Sequence, residues 1–286
     1  MDLGRLGIWS AHFWGDRDTA RAAAADLERM GYGTLWFPNR RDIYGLASDL
    51  LDATGRITIA SGIASIWMHP AGQIASGMRA LDDRHPERFL LGLGVSHPHL
   101  VNQEEAGRYA RPVEHMLAYL DALDVASPPV ARERRVLAAL GPRMLAIARD
   151  RSAGAHPYLT TPQHTRRARE VLGEGPVLAP EQAVVLETDP AKARRIARAH
   201  LARYLQAPNY VNNWLRLGFS ADDVANGGSD RLVDALVAWG TVAEVRERIE
   251  EHFRAGASHV AIQALSEDAA RLPVEEWRAL APAQTP

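Results

Sequence analysis

Apolar residues in this chain gather in short runs separated by amphipathic stretches, and the alternation is regular. Leu6 to Ser10, Thr34-Leu-Trp-Phe-Pro38, Ile57 to Trp67 and Phe89-Leu-Leu-Gly-Leu-Gly-Val-Ser-His97 read as buried strands, being short, continuous and rich in β-branched or aromatic residues. Between them, Ala20, Ala23, Leu27 and Met30 fall on one helical face, as do Val113, Met116, Leu117, Leu120 and Leu123. Helix boundaries are marked locally. Asp16 or Asp18 can cap the first helix, Gly31 stops it, and Pro70 and Pro112 stand where two others open. The same grammar predicts strands over 135–140, 155–160, 182–187 and 259–265, with Thr161-Pro162 and Asp189-Pro190 as helix starts and Thr241-Val-Ala-Glu244 as a capping box.

Eight strands alternating with helices over 286 residues predict an α/β chain folded as one (β/α)8 TIM barrel spanning 1–286. The segment from about 208 to 239 breaks the rhythm. It carries helix signals and no credible strand, and is expected to be a helical insertion between strands 7 and 8, over the barrel mouth. An open doubly wound sheet would need a glycine-rich first turn, and Ser10-Ala-His-Phe-Trp-Gly15 is not one.

Composition narrows the function classes. With 33 Lys+Arg against 35 Asp+Glu there is no basic field for nucleic acid, and no run of about 20 apolar residues suits a membrane span. The absence of cysteine removes thiolate nucleophiles and cysteine-ligated metal, and the amino terminus has no leader pattern, so a cytoplasmic protein is expected. His97-Pro-His99 has no third ligand at metal spacing, there is no G-x-S-x-G elbow, and paired carboxylates are missing from the strand ends.

The strand ends that remain define a candidate site. Gly141-Pro142-Arg143 joins a strand to a helix whose free N–H groups suit an anion, and Thr160 and Thr161 open the next helix; both are also simply good helix starts. The general rule for such barrels places phosphate after strands 7 and 8, where Ser266 and the repelling Asp268 stand. Trp9, Trp14, Trp36 and Trp67 suit a flat conjugated ligand or ordinary core packing. His97 suits a proton donor or a residue tying down its turn.

Phe89 to Pro98, the following helix from Tyr109 to Leu123, and Leu137-Ala-Ala-Leu-Gly-Pro-Arg-Met-Leu145 resemble the luciferase-like flavin and deazaflavin oxidoreductases, and more narrowly an actinobacterial subgroup using coenzyme F420. Gly154-Ala-His-Pro-Tyr158, Pro208 to Asn213, Asp230 to Gly240 and Ala255 to Ile262 extend the likeness over nearly the whole chain. The resemblance implies hydride transfer between F420 and a small carbonyl, alcohol or imine substrate, with FMN-dependent oxygenation as the alternative. It also implies a homodimer and a non-prolyl cis peptide at Ser65-Ile66 backing the cofactor ring.

The resemblance places Ser65, Ile66, Gly94, Ser96, Gly141, Pro142, Arg143, Thr160 and Thr161 around the cofactor, and Trp9 and Trp67 beside the substrate. His97 and Asn39 stand at the catalytic strand ends, where relatives place an acid, or an acid or a histidine. That departure leaves open a barrel that binds a cofactor or metabolite without turning it over.

Overall fold

The computed structural model describes residues 1–283; a few side chains inside helices, those of His99 and Glu104, are outside the description. The strands are β1 (Leu6–Trp9), β2 (Thr34–Phe37), β3 (Thr58–Ser61), β4 (Ala64–Ser65), β5 (Phe89–Gly94), β6 (Arg135–Leu137), β7 (Gly154–Ala155), β8 (Val177–Leu178), β9 (Glu181–Val185), β10 (Val237–Trp239) and β11 (Val260–Ala264). Every pairing is parallel, in the order β10-β9-β11-β1-β2-β3-β5-β6-β7-β8, with β4 also on β5. β8 and β9 are one run of chain. Its first half bonds to β7, including Ala179 N to Ala155 O, and its second half pairs with β11, so the ring closes as the (β/α)8 reading expects.

Three apolar clusters follow from the alternation of side chains along the strands, one of them packing Leu201, Trp214 and Val233 onto Ala183, Val185 and Val237. Trp9, Trp36, Ala60, Leu90, Val136, Ala179 and Ala261 fill the ring, and a larger apolar layer lies between the ring and its helices. Glycine at 92 is required by closeness, since a Cβ there would collide with the Ser61 carbonyl oxygen on β3. The predicted caps form as read: Asp16 Oδ1 accepts from Thr19 N at 2.9 Å, and Thr241 and Glu244 make the reciprocal capping box.

Three expectations are corrected. The insertion contains helices 208–216, 221–224 and 230–236, but it ends in a strand, β10. β7 is only two residues long and leaves one side of β9 above it unpaired, and Val237 to Trp239 pair there with Ala183 to Val185. The third strand is broken into β3 and β4, and the non-prolyl cis bond is Gly62–Ile63, not Ser65-Ile66. At 65–66 the chain is an extended strand end, with Ser65 paired to Gly94 and Ile66 N donating to Gly94 O at 3.1 Å. A short helix, 98–104, also precedes the one opening at Pro112.

The ring interior holds ionisable groups in neutral form. Trp36 stacks on His156 at 4.1 Å and donates to His259 Nε2 at 3.1 Å, while His259 Nδ1 donates to the Gly4 carbonyl at 2.8 Å, which fixes one neutral tautomer. On the outer face, Gln182 donates to two carbonyls and so accepts from His252 Nε2 at 2.9 Å, leaving His252 Nδ1 to accept from Thr165. Burial pushes His156, His164 and His259 down to about 4, and His200 and His252 to about 3. Burial pushes Glu181 the other way, up to about 8.

Gly92→Ala is expected to destabilise the fold by about 3 kcal/mol in urea denaturation, because β3 and β5 must part. The histidines titrate near 6.5 when unfolded, so the stability gained by keeping them neutral is complete above that pH and is lost as pH falls towards 4, each contributing up to about 1.4 kcal/mol per pH unit. Glu181 has the opposite sign: its burial costs nothing below the unfolded carboxyl range and costs most above its raised folded value. Glu181→Gln should therefore stabilise the protein at pH 8 by on the order of 2–4 kcal/mol, with the gain vanishing towards pH 4.5 in the same denaturation series.

Candidate active site

All strands run the same way round the ring, so their carboxyl ends share one mouth, where ligands bind in such folds. The residues expected there sort into three groups. In the first, Asn39 Oδ1 accepts from Ser65 N at 2.9 Å and from His69 Nε2 at 3.0 Å, so Asn39 clamps the turn after β4. Trp67 donates to the Val95 carbonyl at 2.8 Å and lies flat on His115 at 3.9 Å, between the ring and helix 112–124. Gly94 makes room for Ile63, whose Cδ1 would be 2.7 Å from a Cβ at that position. Asn39, Ser65, Ile66, Trp67 and Gly94 thus form one packed corner.

The second group surrounds helix 208–216. His97 Nδ1 donates to Asn209 Oδ1 at 3.3 Å, and its ring lies 5.6 Å from Tyr210. Ser96, just before it, takes a left-handed backbone (φ 56°). Trp214 Nε1 donates to Leu159 O at 3.3 Å, and Arg216 Nη2 would stand 3.7 Å from a Cβ on Gly141. Thr161 caps helix 162–172, and His164 Nε2 donates to Leu140 O at 2.9 Å, joining the two helix starts. Strand ends 96–97, 141–143 and 160–161 therefore do converge, and one amphipathic helix is what they converge on.

That neighbourhood has the donors an anionic group needs. Pro142 begins helix 142–151 with no side-chain cap, and the amides of Arg143 and Met144 have no acceptor among the described residues. The Thr160 hydroxyl and Asn213 Nδ2 are buried and also without partners. A buried donor with no acceptor costs about 1–3 kcal/mol, so the Thr160 hydroxyl and Asn213 amide are a cost to the free protein.

The third group lines a cavity of about 590 Å³ at the carboxyl ends of β1 and β11. Trp9 walls it, with its Nε1 held on Gly62 O at 2.9 Å; of the expected site residues, only Trp9 lines it. Ser10, His12, Gln263, Ser266, His200 and Arg203 supply its polar edge. Behind them Tyr158 packs on Trp9 at 5.2 Å, and Glu181 accepts from Leu159 N at 3.0 Å through one oxygen while its other has no partner. Reading strand ends alone misses Tyr158, His200, Arg203 and Gln263. The signal was a polar residue inside an apolar strand at Gln263, and the i, i+3 pair His200 and Arg203 at a helix end.

Comparison with known proteins gives the same architecture. An F420-dependent secondary alcohol dehydrogenase in complex with an F420–acetone adduct superposes with a TM-score of 0.74 at 12% identity, over 98% of this chain and 97% of that one. The coenzyme F420-dependent tetrahydromethanopterin reductase of Methanopyrus kandleri gives 0.76 at 15% identity over 98% and 97%. The oxygenating constituent of 3,6-diketocamphane monooxygenase from Pseudomonas putida, in complex with FMN, gives 0.69 at 15% identity over 97% and 96%. No protein of curated function matches the chain by sequence. The model of the luciferase-like monooxygenases matches residues 10–259, and with the ring, its insertion and its mouth laid out as above, the chain belongs to that enzyme family.

Proposed function

We propose that this protein is an oxidoreductase that transfers a hydride between coenzyme F420 and a small carbonyl, alcohol or imine. The observation that carries the reading is the division of the mouth into an anion-ready half around Gly141, Thr160 and Arg216 and an open, tryptophan-walled half beside Trp9. A flat, phosphate-bearing cofactor needs both. Bound there, F420 would supply a ring carbon that gives or takes a hydride as an electron pair.

The residues have separable tasks. The free amides of Arg143 and Met144 and the Thr160 hydroxyl would hold phosphate, with Arg216 adding charge at the same helix start. Trp9, fixed by its bond to Gly62 O and by Tyr158, gives a rigid face beside which a substrate carbon is positioned. His97, tied to Asn209, links the end of β5 to helix 208–216, so this helix orders one side of the site and limits water. The second reading, FMN with oxygen, is favoured by the FMN-bound neighbour and by the monooxygenases that name the family.

Titrating the purified protein with F420 and, separately, with FMN tests the choice; tighter F420 binding by about tenfold or more is expected, and tighter FMN binding would overturn it. Thr160→Val should weaken F420 binding about tenfold while leaving the thermal midpoint unchanged or raised, because the hydroxyl is a cost to the free protein and a donor only in the complex. Unchanged F420 affinity in Thr160→Val would remove the phosphate from this position.

A further inference from the structure

The polar groups on the wall of the 590 Å³ cavity can be followed bond by bond, and the bonds have a direction. Arginine only donates, so Arg203 Nη2, 2.8 Å from the Tyr204 hydroxyl oxygen, makes that oxygen an acceptor. Tyr204 then donates to the Tyr158 hydroxyl at 3.1 Å, and Tyr158, whose single O–H faces Gln263 Oε1 at 2.7 Å and His200 Nε2 at 3.4 Å, donates to the nearer, Gln263. In this arrangement the arginine at one end orients the amide at the other. Gln263 accepts through its oxygen, and its Nε2, with no acceptor among the described residues, is the group left to donate.

The other wall groups are engaged, His200 through its Nε2 with the Tyr158 hydroxyl at 3.4 Å. His12 Nε2 donates to the Ala269 carbonyl at 3.1 Å, so its Nδ1 accepts from Ser10 at 2.9 Å, and Ser266 donates to Asp268 O at 2.7 Å. Arg195 is paired with Glu267 at 2.8 Å. Arg203 has no such partner: its guanidinium lies 4.7 Å from the Tyr204 ring centroid, and no carboxylate is within ion-pair distance among the described residues. Glu181, the buried carboxyl behind the tyrosines, is kept neutral by its surroundings and does not balance the charge. What the wall offers a ligand is one uncompensated guanidinium and one amide NH2, set against Trp9, Ile196, Leu265 and Trp277.

We infer that this cavity takes a small organic acid, with its carboxylate on Arg203 and Gln263 Nε2 and its hydrocarbon body against Trp9 and Trp277. A carboxylate is a planar, acceptor-only group and matches this donor pair. A phosphate dianion would need more positive charge than one arginine on a largely apolar wall supplies. As a statement about substrate class, the inference rests on the oxidoreductase reading above; as a statement about what the cavity binds, it stands apart from the cofactor.

The test uses the full chain without cofactor and follows tryptophan fluorescence and calorimetry. The probes are benzoate and cyclohexanecarboxylate, compared with benzamide, benzyl alcohol and benzylamine. The carboxylates are expected to bind at least about tenfold more tightly than their neutral counterparts. Arg203→Gln should erase the difference, Arg203→Lys should keep part of it, and Gln263→Glu, which replaces the donor with a second anion, should abolish carboxylate binding.

Equal binding of benzoate and benzamide, preference for benzylamine, a preference that survives Arg203→Gln, or no saturable binding of either carboxylate would each overturn the inference. Chemical-shift changes on the Trp9 and Trp277 indoles should accompany benzoate binding, and their absence would place the acid elsewhere. F420 affinity is measured in a separate titration, so failure of the cofactor reading and failure of the acid site are told apart.

Discussion

The geometry of the whole molecule depends on one run of chain, residues 177–185, which changes neighbours halfway. Its lower half completes the ring against β7 and its upper half is held by β11 on one side and β10 on the other. The short β10 ends the strand order on that side, and every strand keeps its carboxyl end at the same mouth. Glu181 sits at the changeover. Its backbone N–H reaches Pro157 O and its side chain holds Leu159 N, so the segment after β7 that carries Tyr158 and Thr160 is pinned by a residue whose burial costs the fold stability as pH rises towards 8.

Helix 208–216 then divides the mouth. Its Tyr210, Asn213 and Trp214 are buried against the segments that follow β5, β6 and β7, while the ends of β1 and β11 stay open as the cavity beside Trp9. The two halves have different chemistry. The covered half holds unpartnered donors at helix starts, and the open half combines apolar walls with a directed chain of hydroxyls ending at an amide. A molecule with a charged tail and a flat head would span the division, and a second small molecule would meet it in the open half.

Much of this was legible in the chain. The ring was, because strand runs and caps such as Asp16 and Thr241 with Glu244 are local signals that the fold keeps. The convergence of 96–97, 141–143 and 160–161 was legible too, as a consequence of parallel strands. Strand β10 was not, because Val237 to Trp239 is short and pairs only where β7 leaves β9 uncovered, a fact about another strand's length. Asn39 and Trp67 read as site residues from their position at strand ends, but which way a side chain turns there depends on partners far along the chain: Ser65 and His69 for Asn39, His115 for Trp67. Arg203 lay outside any strand end, and only the bonds linking it to Gln263 through two tyrosines bring it to the mouth.

On the reading proposed above, one cofactor lies across both halves of the mouth. The crystal structure of the F420 complex tests this most directly. It should show phosphate at the start of helix 142–151 beside Thr160, with the deazaflavin ring reaching the cavity walled by Trp9. Density for the ring outside that cavity, or for the phosphate at the β11 end near Ser266, would contradict it.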